Sequence, residues 1–247
     1  DEPFMLFKNL QDVPILVDAN RVQAAKSAIK DHSVDTVILD DGFQQWRIKK
    51  DLEILTIDAA NPFGNRHLIP RGILREPISS LKRADVFMLT KADLNPDTKD
   101  LEDLLTRINP SAAIIESIHS PIGFYDINKT DELLNTDVLN GRNVALISGI
   151  ADPVSFENLI INLGAKIGFS LRFTDHHYYT ERDLGNITRE SQKKNIDTII
   201  TTEKDAVRLS GLKILGFKLQ ILVLRIELKI TKDEKRFLSR LLKLYSI

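Results

Sequence analysis

Short runs of β-branched and aliphatic residues alternate along the whole chain with polar segments of helical period. This alternation constrains the fold more than any other feature. Strands are expected at Val13–Asp18, Thr36–Asp41, Leu52–Asp58, Asp85–Thr90, Asn143–Gly149, Asp197–Thr202 and Leu219–Ile226. Helices are expected at Arg21–His32, Asp97–Arg107, Pro153–Leu163, Glu181–Lys194 and Lys232–Leu244. Strands that alternate with helices form α/β layers around a largely parallel sheet. Asp152 before Pro153, and Thr180 before Glu181, read as helix caps. In the last helix, Phe237, Leu238, Leu241 and Leu242 share one stripe, which is expected to close a core. The stretch 117–142 has no clear period and carries Pro121, Gly123 and Gly141. A domain boundary is placed there, dividing the chain into 1–138 and a smaller α/β domain over 139–247.

Composition narrows the function classes. A chain of 247 residues that is 43% hydrophobic can bury a substantial core. Its net charge of −1 gives no basic footprint for nucleic acid. There is no cysteine, which excludes disulfides, iron–sulfur clusters and thiolate zinc sites. No run approaches the roughly 18 apolar residues of a membrane span. The chain opens Asp-Glu-Pro without methionine, and its natural N-terminus is expected upstream.

Five stretches carry residues suited to chemistry. In Thr36–Gln44 an apolar run ends in Asp40, Asp41 and Gly42. Acids at the carboxyl end of a parallel strand face the ligand crevice and suit a hard cation beside a phosphate. The same pattern also reads as a strand ending in a polar turn. Thr174–Tyr179 contains Asp175, His176 and His177. An acid beside a histidine sets its tautomer for proton transfer, or shares a metal with it; an exposed polar loop is the plain alternative. Thr201–Arg208 places Lys204 and Asp205 after a strand, either toward an anion or in a helix-capping turn with a salt bridge. Asn61–Pro77 is a long loop with three prolines and Arg66, Arg71 and Arg75, facing an anion or solvent. Thr90–Asp93 resembles the base-reading element of GTPases, and equally a strand followed by a capped helix. Walker A, G-x-G-x-x-G, G-x-S-x-G and H-E-x-x-H patterns are absent from these residues.

Taken together, Asp40–Gln44, Leu74–Pro77, Gly149–Pro153, Asp175–His177 and Thr202–Val207 resemble the tetraacyldisaccharide 4′-kinase family of Gram-negative bacteria, in order and at similar spacing over nearly the whole chain. The resemblance implies a P-loop-kinase-like, mostly parallel sheet lacking its N-terminal P-loop part, plus the smaller C-terminal domain. It implies transfer of the ATP γ-phosphate to the 4′-hydroxyl of a lipid disaccharide 1-phosphate in lipid A synthesis, with Mg²⁺, at the cytoplasmic face of the inner membrane. Asp1-Glu2-Pro3 resembles the motif that follows the family's P-loop. By the resemblance Asp1 and His176 take the base role, with Asp175 orienting. Asp40 and Asp41 organise Mg²⁺, and Arg75 and Glu76 reach the nucleotide, Arg75 its phosphate and Glu76 its ribose or base. Lys204 is a further nucleotide contact. Gln45 stands where the family usually has histidine, which removes a titrating group from that position. The family's membrane-anchoring helix and P-loop would precede Asp1, and the 247-residue chain alone is expected to show no kinase turnover. Two other readings fit fewer residues: a metal-dependent phosphoesterase of the Asp-His-His type, and a non-catalytic nucleotide-binding P-loop relative.

Overall fold

The computed structural model of the chain describes residues 2–95, 97–210, 212 and 219–245. It divides into two compact units, each made of two stretches of chain. One unit joins the N-terminal segment up to Val17 to Pro121–Glu227; the other joins Asp18–Ser120 to Leu228–Ile247. The chain therefore crosses at 17/18, 120/121 and 227/228, and the second crossing falls inside the aperiodic stretch 117–142.

The unit around 18–120 contains α2 (Arg21–His32), β1 (Ile54–Asp58), β2 (Val86–Thr90), α3 (Lys99–Ile108), the first part of β3 (Ala113–Asp126) and the last helix, α7 (Glu234–Leu242). β1, β2 and β3 run parallel, with Ile54 opposite Val86 and Val86 opposite Ala113. β2 is an unbroken apolar run because both its faces are covered. Phe87 and Leu89 pack with Ile57, Leu101 and Leu105 on one face; Val86 and Met88 pack with Ile115, Ile230 and Phe237 on the other.

The unit around 121–227 begins with α1 (Glu2–Asn9). The end of β3 pairs antiparallel with β4 (Lys129–Leu134), Phe124 facing Leu134. A parallel set follows: β5 (Asn143–Ser148), α4 (Pro153–Asn162), β6 (Lys166–Arg172), α5 (Glu181–Lys193), β7 (Thr198–Thr202), α6 (Glu203–Leu209) and the start of β8 (Gln220–Lys232). The strands lie in the order β6-β5-β7-β8. On central β5, Val144 and Leu146 pack with Phe156 and Ile160 of α4. Ala145 and Ile147 pack with Leu184 and Ile187 of α5. Helices thus cover both faces of the sheet. From β5 the chain moves first to β6 and then back across to β7, so strand order reverses between β5 and β7. The carboxyl ends of strands at such a reversal form the usual ligand crevice of an open α/β sheet.

Five of the seven expected strands and all five helices are present, most within two residues of the expected bounds. Two strands are corrected. Residues 13–18 and 36–41 form no ladder with any described residue. A strand exists only through hydrogen bonds to a neighbour, and Ile38 lies 91% exposed. The last helix is corrected in role: Phe237 packs on a core, but Leu238 and Leu242 are exposed. β3, β4 and β6 escape a sequence reading because Pro121, Gly123, Gly168 and charged residues interrupt their apolar pattern.

Candidate active site

The crevice at the ends of β5 and β7 is built on one buried carboxylate. Thr202 caps α6: its Oγ1 accepts from the Asp205 N–H at 3.2 Å and donates to Asp205 Oδ2 at 2.7 Å. This fixes Asp205 in the first turn, fully buried. Its Oδ1 accepts from the Gly149 N–H at 3.0 Å, the Tyr179 hydroxyl at 3.0 Å and Arg208 Nη1 at 3.2 Å. A buried carboxylate persists as a charge only with such partners. Burial, then the charge of Asp205, pushes the Tyr179 phenol well above its ordinary range, so Tyr179 stays a donor. Gly149 is tightly enclosed: a Cβ there would lie 3.1 Å from Thr174 O and 3.2 Å from Asp205 Oδ1.

The loop after β6 brings His176 to this crevice. His176 has φ of 59°, a left-handed conformation that few non-glycine residues adopt. Its N–H is shared between Gly149 O at 3.2 Å and Asp175 Oδ1 at 3.0 Å. Its Nδ1 lies 3.2 Å from Arg208 Nη2, and its Nε2 3.9 Å from Asp175 Oδ2. The imidazole is 59% exposed. Lys204 pairs with Glu2 of α1 at the same end of α6. That hydrogen bond, reinforced by the positive charge of Lys204 and by His176, holds the Glu2 carboxyl below its ordinary range. Asp1, the expected partner of His176, lies outside the described residues.

The neighbouring histidine is a different kind of group. His177 stacks on Phe173 with ring centroids 4.5 Å apart and meets Tyr179 edge-on. Its Nε2 lies 3.2 Å from Asp183 Oδ2. Burial opposes the charge of Asp183, but bonds from Thr180 and His177 outweigh it and keep this carboxyl low. Asp183 also completes the capping box of α5 with Thr180. His177 thus locks the loop that presents His176.

The other expected residues lie in the unit around 18–120. Asp41 and Gly42 form a tight turn: Asp41 has φ of 52°, and a Cβ on Gly42 would lie 2.7 Å from Leu39 Cβ. Lys50 Nζ ties the Gly42 carbonyl at 2.9 Å. Asp40 and Asp41 are exposed at this turn, and Arg75 Nη1 contacts Asp41 Oδ2 at 2.5 Å. Glu76 meets Arg83 in a two-pronged pair at 2.8 and 3.0 Å. The Arg83 guanidinium lies over the rings of Phe43 and Trp46, 4.2 and 4.1 Å from their centres. Glu76 therefore braces the 40–46 turn through Arg83. Lys91 of the Thr90–Asp93 element pairs with Asp58 at 2.8 Å.

The Arg83 hydrogen bond holds the Glu76 carboxyl below its ordinary range. A lowered carboxylate stabilises the fold at pH above its unfolded value, and that contribution disappears as pH falls through the folded value. Glu76→Gln is expected to cost about 1–2 kcal/mol at pH 7, at and below the lower end of the roughly 1.5–3 kcal/mol of a hydrogen bond to a charged group because the pair is partly solvated. Denaturant unfolding should show the wild type and variant converging as pH falls into the carboxylate range.

Asp175, His176 and Lys204 lie in one unit, apart from Arg75 and Glu76, and with them lies Arg208, which the sequence analysis left unnoticed. Its signal was Asp205 three residues earlier in a helix capped by Thr202, a spacing that sets acid and base side by side. The sequence model of the family described as tetraacyldisaccharide-1-P 4′-kinase matches residues 1–246. A tetraacyldisaccharide 4′-kinase of Halothermothrix orenii is 35% identical over 97% of this chain and 66% of its own length. One of Anaeromyxobacter dehalogenans strain 2CP-C is 39% identical over 85% of this chain and 55% of its own. The chain thus spans about 55–66% of these relatives. A crystal structure of LpxK from Aquifex aeolicus, described as an apo form in complex with ATP, matches 99% of this chain and 69% of its own, with TM-score 0.72 and 24% identity. The chain, from its mostly parallel α/β sheet to its Asp-His-His loop, belongs to the tetraacyldisaccharide-1-P 4′-kinase family.

Proposed function

We propose that this chain works within a kinase that moves the γ-phosphate of ATP to the 4′-hydroxyl of a tetraacyldisaccharide 1-phosphate. The observation that carries the reading is His176, an exposed imidazole anchored by buried groups at the strand-order reversal. A sugar hydroxyl is a poor nucleophile at neutral pH, and phosphoryl transfer is catalysed mainly by positioning and charge neutralisation. Asp1 and His176 form the pair that relieves the hydroxyl of its proton as the new bond forms. Asp175 holds the His176 backbone, and Lys204, paired with Glu2, is the further cation we assign to the nucleotide. We assign acceptor activation to the unit holding His176, and nucleotide handling to the unit holding Asp40, Asp41, Arg75 and Glu76.

The residues at the 40–42 turn fit a magnesium ion. Two adjacent exposed carboxylates supply hard oxygen donors, and magnesium keeps several of its waters rather than needing a full protein cage. Asp40 and Asp41 would hold it, and bound there it would neutralise charge on phosphate oxygens. Arg75 sits beside them as a phosphate contact; Glu76 contributes a rigid base for the turn. The substrate's acyl chains put the reaction at a lipid surface, and we place it at the cytoplasmic face of the inner membrane. Among the described residues no helix is long and apolar enough to cross a membrane.

The test is direct. The complete gene product, given radiolabelled ATP, Mg²⁺ and the tetraacyldisaccharide 1-phosphate, should yield a 4′-phosphorylated lipid. ATP hydrolysis without labelled lipid would overturn the reading. Asp40→Asn and Asp41→Asn should raise the Mg²⁺ concentration needed for half-maximal rate at least several-fold.

A further inference from the structure

We propose that Arg208 is a positioning residue that fixes the proton of neutral His176 on Nε2. The contact between Arg208 Nη2 and His176 Nδ1 is 3.2 Å. A guanidinium has donors only and keeps its charge throughout the pH range of folded proteins. Nδ1 must therefore present its lone pair, and the ring proton sits on Nε2.

Arg208 is well built for this duty. Its side chain is 3% exposed. Nη1 donates to Gly149 O at 2.7 Å and to Asp205 Oδ1 at 3.2 Å, which leaves the direction of Nη2 fixed. Gly149 O also accepts the His176 N–H, so both ends of the contact are referred to one carbonyl. Among the described residues, the charged groups that act on the imidazole include Asp175 on its own loop, Glu2 on α1 and Arg208 on α6, with Lys204 paired to Glu2 and Asp205 to Arg208 behind them.

The chemical consequence rests on the kinase reading above. An imidazole with its proton on Nε2 donates through that nitrogen. In the pair proposed above, His176 is then the donor and the hydroxyl proton passes to the carboxylate. Arg208 thereby divides the labour of the pair without touching the substrate.

Two measurements test this. In the complete gene product labelled with ¹⁵N-histidine, long-range proton–nitrogen correlations at mildly alkaline pH report the tautomer of each ring. His176→Gln identifies the His176 signals by their loss. The wild type should show the Nε2–H form of His176 alone. Arg208→Lys, which keeps a cation opposite Asp205 but lacks the fork, should give a mixture of both tautomers. An Nδ1–H form in the wild type would overturn the proposal, and so would an unchanged ratio in the variant. The wild-type spectrum decides even where the variant folds poorly. The second measurement is kinetic and uses the same protein. Arg208→Lys should lower kcat by up to about 10²-fold, the scale of a misplaced catalytic group, with KM for ATP unchanged. In a His176→Ala background it should cost nothing further; a full additional loss would contradict action through His176. Absence of lipid kinase activity in the wild type would remove the kinase reading, and the tautomer spectrum would still decide the role of Arg208.

Discussion

Asp205→Ala is expected to destabilise the protein by about 3–5 kcal/mol, the usual loss when one member of a buried ion pair is removed. The argument is one of connectivity. Asp205 is fully buried and receives hydrogen bonds from Gly149, Tyr179, Thr202 and Arg208, which come from three separate parts of the chain. Truncation strands a guanidinium that is itself only 3% exposed, opens a small cavity and frees the end of β5 from the start of α6. For a chain of this length the thermal midpoint should fall on the order of 10 °C. Asp205→Asn separates charge from shape: it fills the same space but leaves the Arg208 charge uncompensated. It should recover only a minor part of the loss. A midpoint within about 2 °C of wild type for the alanine variant, the effect of an ordinary surface substitution, would show that the network holds no weight in the fold.

Such networks explain what could and could not be read from the sequence. The β5 and β7 runs are legible because both faces of each strand are covered, which forces Val144–Ile147 and Thr198–Thr201 into unbroken buried sequence. The caps at Asp152 and Thr180 are legible because they depend only on neighbours three residues away. The run at 36–41 has the same apolar character, yet no described residue pairs with it, so pattern alone overstated it as a strand. β6 failed in the opposite direction. Gly168 interrupts its pattern, and β5 supplies the pairing that makes it a strand. The site divides in the same manner. Asp175 and His176 are adjacent in sequence, so their association needed no fold. Arg208 reaches His176 from 32 residues away. Its role depends on β6 and β7 flanking β5, which local spacing does not reveal. The two histidines of the motif are alike in sequence, and their separate duties come from what each ring touches.

That separation gives the second large effect. In the complete kinase, His176→Ala is expected to lower kcat by roughly 10²–10⁴-fold, the range for loss of a group that manages a proton in the transition state. ATP affinity should change little, since the ring contacts described are with Arg208 and Asp175. Thermal stability should also change little, because the imidazole is 59% exposed and its removal uncovers no core. His177→Ala should do the reverse in stability. That ring is stacked on Phe173 and bonded to Asp183, and its loss should cost about 1–3 kcal/mol through broken packing and one lost partner of the capping acid. Its effect on kcat should be smaller and should arise through loosening of the loop that carries His176. The decisive comparison is therefore a pair of profiles rather than a single rate. If His176→Ala weakens ATP binding as much as it lowers kcat, the ring belongs to ground-state nucleotide recognition and the proton-handling assignment fails. If His177→Ala abolishes turnover while leaving the thermal midpoint intact, the duties of the two rings are the reverse of those their contacts indicate.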